Sequence, residues 1–219
     1  MIQGIVFDMD GILFDTEHLA LKSWLHTGKL LNLNVTEEIV RKTIGYNAEM
    51  TWQILKNEVG DFDQKKARLI RSEYISSYIS ENGVPQKKGL IEILEFLSEA
   101  QIRLAVATST ARKNAEFYLK SAGIFSFFDS ILCSDQIEKP KPAPDIYLKS
   151  CKQLGVDPVL CLAIEDSYAG ITAAYRAKMK PIMIPDILPP NDAMHEMAYT
   201  ILPDLLALKE FINREITKS

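Results

Sequence analysis

Cysteine is scarce in this chain of 219 residues, which contains only Cys133, Cys151 and Cys161. A disulfide framework or a structural zinc site needs several cysteines, usually with two of them close together in the sequence. These three are odd in number and widely spaced, so the sequence predicts neither kind of site. We expect three free thiols that pack as small apolar side chains.

Long apolar runs and an excess of positive charge are also missing. A membrane-spanning helix needs about 18 or more apolar residues in succession, and no segment reaches that length. The formal net charge is -4, which argues against nucleic acid or an anionic membrane as a partner because both attract basic proteins. The first residues lack the basic and apolar regions of a signal peptide. We therefore expect a cytoplasmic protein with no nucleic-acid or membrane partner.

The apolar pattern at the two ends of the chain predicts an α/β fold. With 47% hydrophobic residues, the chain can build a sizeable core. Residues 4–9 form a short apolar run, as expected for a strand that is covered on both faces. From residue 101 onward, predicted strands and helices alternate, which indicates βαβ units and a doubly wound parallel sheet.

Residues 15–84 interrupt this pattern with a series of predicted helices. Apolar residues recur there at helical spacing, and strand signals are almost absent. The strongest turn signal is Asn82-Gly83-Val84-Pro85, where the chain would return to the sheet. We predict an α/β core formed by residues 1–14 and 85–219, with an all-helical domain inserted at residues 15–84.

Polar side chains follow the predicted strands, at the points where the strands end. Because ligands bind beyond the carboxyl ends of the strands in a doubly wound sheet, these side chains are the candidates for a functional site. The first and last groups are acidic, and the middle groups supply hydroxyls and a lysine. In chain order the candidates are Asp8 and Asp10, then Thr108, Ser109 and Thr110, then Lys141, and finally Glu165 and Asp166.

The carboxylates of this set would repel one another if they met without a cation. Each acid alone could equally face solvent or cap a helix, but the complete set is best explained by a divalent metal ion. Oxygen ligands favour Mg²⁺, which often bridges protein carboxylates and a phosphate. The sequence therefore predicts a magnesium site made of Asp8, Asp10, Glu165 and Asp166.

Hydroxyls and a lysine make a phosphate ligand plausible beside these acids. Thr108, Ser109 and Thr110 end a strand and open a helix, where hydroxyls and free backbone N–H groups can hold an anion. Helix capping alone would explain one of them. Lys141 stands between prolines that restrict the backbone, so its ammonium has a defined position. A lysine placed there would offset the charge of a phosphoryl group during transfer.

Four motifs of this sequence resemble those of the haloacid dehalogenase superfamily, in the same order along the chain. They are Asp8-Met9-Asp10-Gly11, the hydroxyl of Thr108, Lys141-Pro142-Ala143-Pro144-Asp145 and Glu165-Asp166-Ser167. Within the superfamily, the chain is similar to the β-phosphoglucomutase-like phosphatases over nearly its whole length. The resemblance implies a Rossmann-like core, a mobile helical cap inserted after the first motif, and a monomer.

The resemblance also implies a role for each motif. Asp8 would be the nucleophile that forms an aspartyl-phosphate, and Asp10 would be the general acid and base. Thr108 would bind the phosphoryl oxygens, and Lys141 would stabilise the nucleophile and the phosphate. Asp166 and Glu165 would complete the metal site beside Asp8 and the carbonyl of Asp10. The family spacing selects Lys141 rather than Lys139.

The choice between a phosphatase and a phosphosugar mutase depends on the helical insert. β-Phosphoglucomutases carry a histidine, a lysine and an arginine there, whereas the matching positions in this chain are Ala20, Ile44 and Ala48. The segment Asp15-Thr16-Glu17-His18 is instead similar to sugar-phosphate phosphatases, and Glu17 is a candidate substrate contact. We predict a Mg²⁺-dependent phosphatase of a small phosphorylated metabolite, with the mutase as the alternative.

Two further activities are compatible with parts of the sequence. A dehalogenase would lack the second aspartate, so the presence of Asp10 argues against it. A phospho-acceptor regulatory domain could use the same acids, hydroxyl and lysine around Mg²⁺, but it would have no helical insert. In the insert, His18, Tyr46, Asn47 and Trp52 are additional candidates for substrate contact, although packing explains Trp24 and Trp52 better.

Overall fold

The computed structural model describes residues 2–44 and 48–217. The chain divides into two compact units, one made of Met1–Phe14 with Gln86–Ser219 and the other made of Asp15–Pro85. The proposed role of the second unit as a mobile cap stays a prediction. Tyr46 and Asn47, two of the candidates for substrate contact, lie outside the described residues.

The unit Asp15–Pro85 is helical over most of its described length. Its helices are α1 (Thr16–Leu31), α2 (Glu37–Arg41), α3 (Ala48–Val59) and α4 (Gln64–Asn82). Trp24 of α1 and Trp52 of α3 meet edge to face with ring centroids 5.1 Å apart. The two rings are 4% and 7% exposed, and such a pair contributes about 1 kcal/mol beyond its buried area. The prediction that both tryptophans pack inside this unit is confirmed.

The other unit is built on a six-stranded sheet whose pairings are all parallel. Its spatial order is β3-β2-β1-β4-β5-β6. The strands are β1 (Gly4–Phe7), β2 (Arg103–Ala107), β3 (Ser130–Leu132), β4 (Cys161–Glu165), β5 (Lys180–Met183) and β6 (Thr200–Ile201). The predicted α/β class with a doubly wound parallel sheet is confirmed.

Helices connect these strands and cover the sheet. They are α5 (Leu90–Glu99), α6 (Arg112–Ser121), α7 (Asp145–Leu154), α8 (Tyr168–Arg176), α9 (Asp192–Met197) and α10 (Leu205–Thr217). Helix α7 ends where Gly155 adopts a left-handed conformation with a φ of 65°, which a residue without a Cβ accepts most easily. Over residues 2–44 and 48–217, none of the helices has both the length and the apolar character needed to cross a lipid bilayer.

β1 lies inside the sheet and is buried on both faces. Ile5, Val6 and Phe7 are 0% exposed, and burial of each such side chain contributes roughly 1.5–3 kcal/mol. Val6 pairs with Ala105 of β2 on one side and with Ala163 of β4 on the other.

Cys133, Cys151 and Cys161 are free and buried, which confirms the prediction for the thiols.

The direction in which strands are added reverses between β1 and β4. β2 and β3 extend the sheet on one side of β1, whereas β4, β5 and β6 extend it on the other. Such a switch point opens a crevice beyond the carboxyl ends of the strands, and ligands bind there in open α/β sheets. The residues that follow β1, β2 and β4 are therefore brought to one place.

Candidate active site

Asp8, Thr108 and Glu165 mark the carboxyl ends of three adjacent strands. The backbone N–H of Asp8 donates to Ile164 O at 2.9 Å, and the N–H of Thr108 donates to Leu132 O at 3.0 Å. Both residues thus continue the sheet pairing by one position, which fixes the backbone from which their side chains extend. Asp8 is 7% exposed, and Thr108 and Glu165 are both 0% exposed.

The chain turns sharply directly after Asp10. Gly11 has a φ of +82°, and a Cβ at this position would lie 2.3 Å from Oδ2 of Asp166. Its N–H donates to Phe14 O at 2.8 Å, which closes the turn. A side chain here would meet both backbone strain and the Asp166 carboxylate, so glycine is required by the close approach of the first and fourth motifs.

Lys141 is a buried cation between two carboxylates. Its ammonium donates to Oδ1 of Asp8 at 2.5 Å, to Oε1 of Glu165 at 2.6 Å and to the carbonyl of Ala107 at 2.9 Å. The Lys141 side chain is 5% exposed, and these three contacts match the three donors of an ammonium group. Lys139, two residues earlier, is exposed.

Glu165, which accepts from Lys141, also accepts hydrogen bonds from other groups. Its Oε1 also accepts the hydroxyl of Tyr147 at 2.6 Å, and its Oε2 accepts the hydroxyl of Ser167 at 3.0 Å and the N–H of Ser167 at 3.3 Å. Ser167 in turn caps α8, because its hydroxyl accepts the N–H of Gly170 at 3.0 Å. A Cβ on Gly170 would lie 1.8 Å from Oε1 of Glu165. Glu165 is therefore fixed by the protein, and its predicted role as a direct metal ligand stays a prediction.

The arrangement of the acids fits a divalent cation. Asp8, Glu165 and Asp166 each offer a carboxylate oxygen, and these oxygens lie within 4.8 Å of one another. Oδ1 of Asp8 accepts from Lys141, whereas no group among the described residues donates to Oδ2. A carboxyl group with one oxygen that accepts no hydrogen bond, next to two further acids, suits a hard cation such as Mg²⁺, which would favour its ionised form.

Asp10 has different surroundings from Asp8, although it lies only two positions further along the chain. It is half-buried, and its Oδ2 accepts the hydroxyls of Thr110 at 2.7 Å and Thr108 at 3.3 Å. Two neutral hydroxyls thus contact Asp10, whereas an ammonium contacts Asp8. Two carboxyl groups in such different environments are suited to different chemical roles.

Burial dominates the electrostatics of the cluster. It raises the pKa of Asp8 from 3.8 to about 8, while Lys141 lowers this pKa and Glu165 and Asp10 raise it. Burial alone would lower the pKa of Lys141, but its attraction to Asp8 and Glu165 raises that pKa above the ordinary value. Burial also raises the pKa of Tyr147, and the negative charge of Glu165 adds to the effect. A cation beside Asp8 would favour its ionised form.

The free energy of unfolding of the metal-free protein is expected to fall as the pH rises from about 5 to about 8. Folded Asp8 keeps its proton up to a pKa of about 8, whereas an unfolded aspartate loses it near 3.8. The folded state thus binds more protons in this range, so its stability declines with pH. One group changes the free energy by at most about 1.4 kcal/mol per pH unit.

Denaturant titrations in EDTA test this expectation, with Asp8→Asn as the matched variant. Asparagine has nearly the same shape as aspartate and stays neutral at every pH, so it lacks the Asp8 contribution. The free energy of wild type minus that of Asp8→Asn should decrease between pH 5 and pH 8. A constant or rising difference would contradict a raised pKa of Asp8.

The remaining predicted site residues lie outside this cluster. Ser109 is exposed next to Thr108, and its role as a phosphate ligand stays a prediction. Glu17 lies in the first turn of α1 and is half-buried within the helical unit. There its charge acts on Arg71 of α4, and its role as a substrate contact stays a prediction.

Tyr147 and Ser167, which the sequence left without a role, belong to the network, and so does Thr110, which was predicted with Thr108 and Ser109 to hold an anion. Tyr147 and Ser167 contact Glu165, and Thr110 contacts Asp10. Ser167 ends the fourth motif, and Tyr147 lies two residues after the third. Their positions at these motifs are the sequence signal for a role in the site. Thr110 is the third of three successive hydroxyl-bearing residues, and only the structure distinguishes its contact from those of its neighbours.

Comparison with known proteins gives consistent results over most of the chain. A sequence model described as haloacid dehalogenase-like hydrolase matches residues 5–184. The phosphorylated carbohydrates phosphatase of Thermotoga maritima is 30% identical over 187 residues, which cover 83% of this chain and 84% of the relative. The fructose-1-phosphate phosphatase YqaB of Escherichia coli is 28% identical over 183 residues, or 82% of this chain and 94% of the relative.

The fold also matches that of a solved relative. The crystal structure of CbbY from Rhodobacter sphaeroides in complex with phosphate has a TM-score of 0.77 and a sequence identity of 27%. The superposition covers 95% of this chain and 96% of that chain. The similarity therefore extends over both units of the molecule and is not limited to the sheet.

Proposed function

The chain belongs to the haloacid dehalogenase-like hydrolase family, and from this premise we propose that it is a Mg²⁺-dependent phosphatase. Its substrate would be a small phosphorylated metabolite, in the first place a sugar phosphate, and its intermediate an aspartyl-phosphate on Asp8. The observation that carries the proposal is the pair of unlike aspartates after β1. Asp8 is ion-paired to Lys141, whereas Asp10 is hydrogen-bonded to threonine hydroxyls.

The relatives support this substrate class. Two of them are named as phosphatases of phosphorylated carbohydrates and of fructose 1-phosphate. The predicted membership of the β-phosphoglucomutase-like phosphatase subgroup is confirmed by the family match, the relatives and the crystal structure of a putative beta-phosphoglucomutase from Thermotoga maritima. That structure is 29% identical, with a TM-score of 0.80, over 95% of this chain and 99% of that chain. The proposal includes a monomeric protein in the cytoplasm.

In the first step, a carboxylate oxygen of Asp8 attacks phosphorus and the bond to the leaving oxygen breaks. Asp10, in its protonated form, gives its proton to that leaving oxygen as the alcohol departs. Thr108 and Ser109 hold the phosphoryl oxygens through hydroxyl and N–H groups. Lys141 keeps Asp8 in place at 2.5 Å and offsets the negative charge that the two reacting groups bring together.

In the second step, Asp10 acts as a carboxylate. It takes a proton from water, whose oxygen attacks the phosphorus of the aspartyl-phosphate, and the bond to Asp8 breaks. Inorganic phosphate leaves, Asp8 is again a carboxylate, and Asp10 carries the proton needed for the next turnover. One carboxyl group thus serves as acid and then as base, which is consistent with its hydroxyl neighbours.

A metal ion fits the acids that lie close to Asp8. Asp8, Asp166, Glu165 and the backbone carbonyl of Asp10 would hold Mg²⁺, in agreement with the three carboxylate oxygens that lie within 4.8 Å of one another. When bound, the ion supplies positive charge that neutralises the phosphoryl oxygens and lowers their repulsion towards an anionic nucleophile. Asp8 would then be ionised at a pH where it is otherwise protonated.

A phosphate-release screen tests the proposal. The wild-type protein is incubated with a panel of sugar phosphates and other phosphorylated metabolites, with Mg²⁺ or with EDTA. We expect release from one or more sugar phosphates, reduced at least about 100-fold when EDTA replaces Mg²⁺. No release from any compound in the presence of Mg²⁺ would contradict the proposal.

The same screen separates the phosphatase from the two alternatives. A mutase would convert β-glucose 1-phosphate to glucose 6-phosphate, in the presence of a bisphosphate primer, faster than it releases inorganic phosphate. A phospho-acceptor domain would accumulate phosphate on Asp8, with slow turnover that survives Asp10→Asn. A phosphatase should instead lose turnover in that variant, because the leaving oxygen would receive no proton.

A further inference from the structure

Thr110 makes a short contact with the proposed acid–base residue. Its hydroxyl donates to Oδ2 of Asp10 at 2.7 Å, whereas the hydroxyl of Thr108 approaches the same oxygen at 3.3 Å. We infer that Thr110 is a positioning residue that holds the Asp10 carboxyl in the orientation required for proton transfer. This inference rests on the proposed function, because it concerns the step in which Asp10 protonates the leaving oxygen.

The contact belongs to a set of hydrogen bonds that links Thr108, Thr110 and Asp10. The backbone N–H of Thr110 donates to Oγ1 of Thr108 at 3.0 Å. Because that oxygen accepts from Thr110, its own hydrogen is directed to Asp10. The two hydroxyls then both donate to a single oxygen, and the carboxyl group cannot rotate without breaking both bonds.

The hydroxyls of Thr108 and Thr110 have different roles once a phosphoryl group binds. Thr108 is the proposed ligand of the phosphoryl oxygens, so its hydroxyl has to turn from Asp10 towards the substrate. Its contact with Asp10 is already the longer of the two, at 3.3 Å compared with 2.7 Å for Thr110. After that turn, Thr110 is the hydroxyl that continues to hold Asp10.

The backbone of Thr110 is held independently of its hydroxyl. Its N–H donates to Thr108, and its carbonyl accepts the N–H of Ser134 at 3.3 Å. Thr110→Val keeps the branched shape and these backbone bonds, and it removes only the hydroxyl. Thr110→Ser keeps the hydroxyl and removes a methyl group. The two variants together separate the hydrogen bond from the packing of the side chain.

The test compares two substrates that differ in their need for an acid. A sugar phosphate leaves as an alkoxide and requires protonation, whereas p-nitrophenyl phosphate leaves as a stable phenolate that does not. The quantity to compare is kcat/KM, because it reports the steps up to departure of the leaving group and excludes the later hydrolysis. We expect Thr110→Val to lower kcat/KM for the sugar phosphate about tenfold or more and that for p-nitrophenyl phosphate less than about twofold.

Three further measurements make the result specific. Thr110→Ser should restore kcat/KM for the sugar phosphate to within about threefold of wild type, since it keeps the donor. The inhibition constant of inorganic phosphate should not change in Thr110→Val, because in this inference the hydroxyl of Thr110 is bound to Asp10 and not to the phosphoryl group. The matched control is Thr172→Val, which removes a hydroxyl that donates to a helix carbonyl at 2.7 Å, and it should leave both substrates unaffected.

The outcomes distinguish this inference from the proposed function. An equal loss for the two substrates, or a rise in the inhibition constant of phosphate, would overturn the positioning role while wild-type hydrolysis still supports the phosphatase. Failure of Thr110→Ser to restore activity would overturn it as well. Absence of hydrolysis by the wild type, in contrast, is a failure of the proposed function itself.

Discussion

Asp8→Asn is expected to reduce phosphate release by roughly 10⁴-fold or more, the largest effect of any single change. The amide has no negative charge and is a very weak nucleophile, so no aspartyl-phosphate can form. Its shape is close to that of the carboxyl group, and Lys141 retains Glu165 and the Ala107 carbonyl as acceptors at 2.6 and 2.9 Å. The fold should therefore persist while turnover is lost. Initial rates of phosphate release with the best substrate of the screen measure this reduction.

Covalent labelling adds a second measurement of the same change. Wild type mixed with a substrate that carries labelled phosphate and then quenched in acid should retain label, and Asp8→Asn should retain none. The matched control is Asp157→Asn at the opposite end of the sheet. Asp157 caps the turn before β4, and asparagine caps as well as aspartate, so activity should be unchanged. Release by Asp8→Asn at the wild-type rate would exclude the covalent mechanism.

Lys141→Met is expected to lower kcat/KM by roughly 10²–10³-fold, the second-largest effect. Methionine fills a similar volume without charge, so Asp8 and Glu165 would face each other without the ammonium that now donates to both at 2.5 and 2.6 Å. The nucleophile would lose its orientation, and the phosphoryl group would lose a positive neighbour. Steady-state kinetics with a sugar phosphate and Mg²⁺ measure the change.

Stability should decline in the same variant. Removing one partner of a buried ion pair leaves an uncompensated charge and costs about 3 kcal/mol. The side chain of Lys141 is 5% exposed and that of Glu165 0%, so solvent cannot replace the ammonium. Lys139→Met is the matched control, because Lys139 is exposed two residues away and should change neither activity nor stability. Equal effects of the two substitutions would contradict the assigned role of Lys141.

The cluster of acids, hydroxyls and lysine at the ends of the strands could be predicted, because it depends on backbone geometry that sequence patterns indicate. A short apolar run ending in Asp8 and Asp10 predicts a buried strand followed by two carboxylates. Parallel strands bring their carboxyl ends to one edge, so the residues after β2 and β4 had to lie nearby. Lys141 could be selected over Lys139 by its spacing, and the structure places its ammonium on Asp8.

The outer contacts of the site could not be predicted in the same way. Tyr147 of α7 reaches Glu165 at the end of β4 only through its hydroxyl, and Thr110 contacts Asp10 across about 100 residues of sequence. Such contacts depend on side-chain rotamers and on the positions of whole helices, to which local patterns are insensitive. β6 has only two residues, which are too few to show an alternating pattern, so the sequence does not predict it.

The position of β1 has a consequence for synthesis of the protein on the ribosome. β1 emerges first, yet its partners are β2, which begins at Arg103, and β4, which begins at Cys161. At translation rates of about 5–20 residues per second, the segment Ile5–Phe7 waits roughly 5–20 s for β2 and longer for β4. During that interval an apolar strand is unpaired, and Asp8 has no lysine beside it. Chaperone contact with the nascent chain should therefore be greatest before residue 103 is made and should decline once β4 has left the exit tunnel.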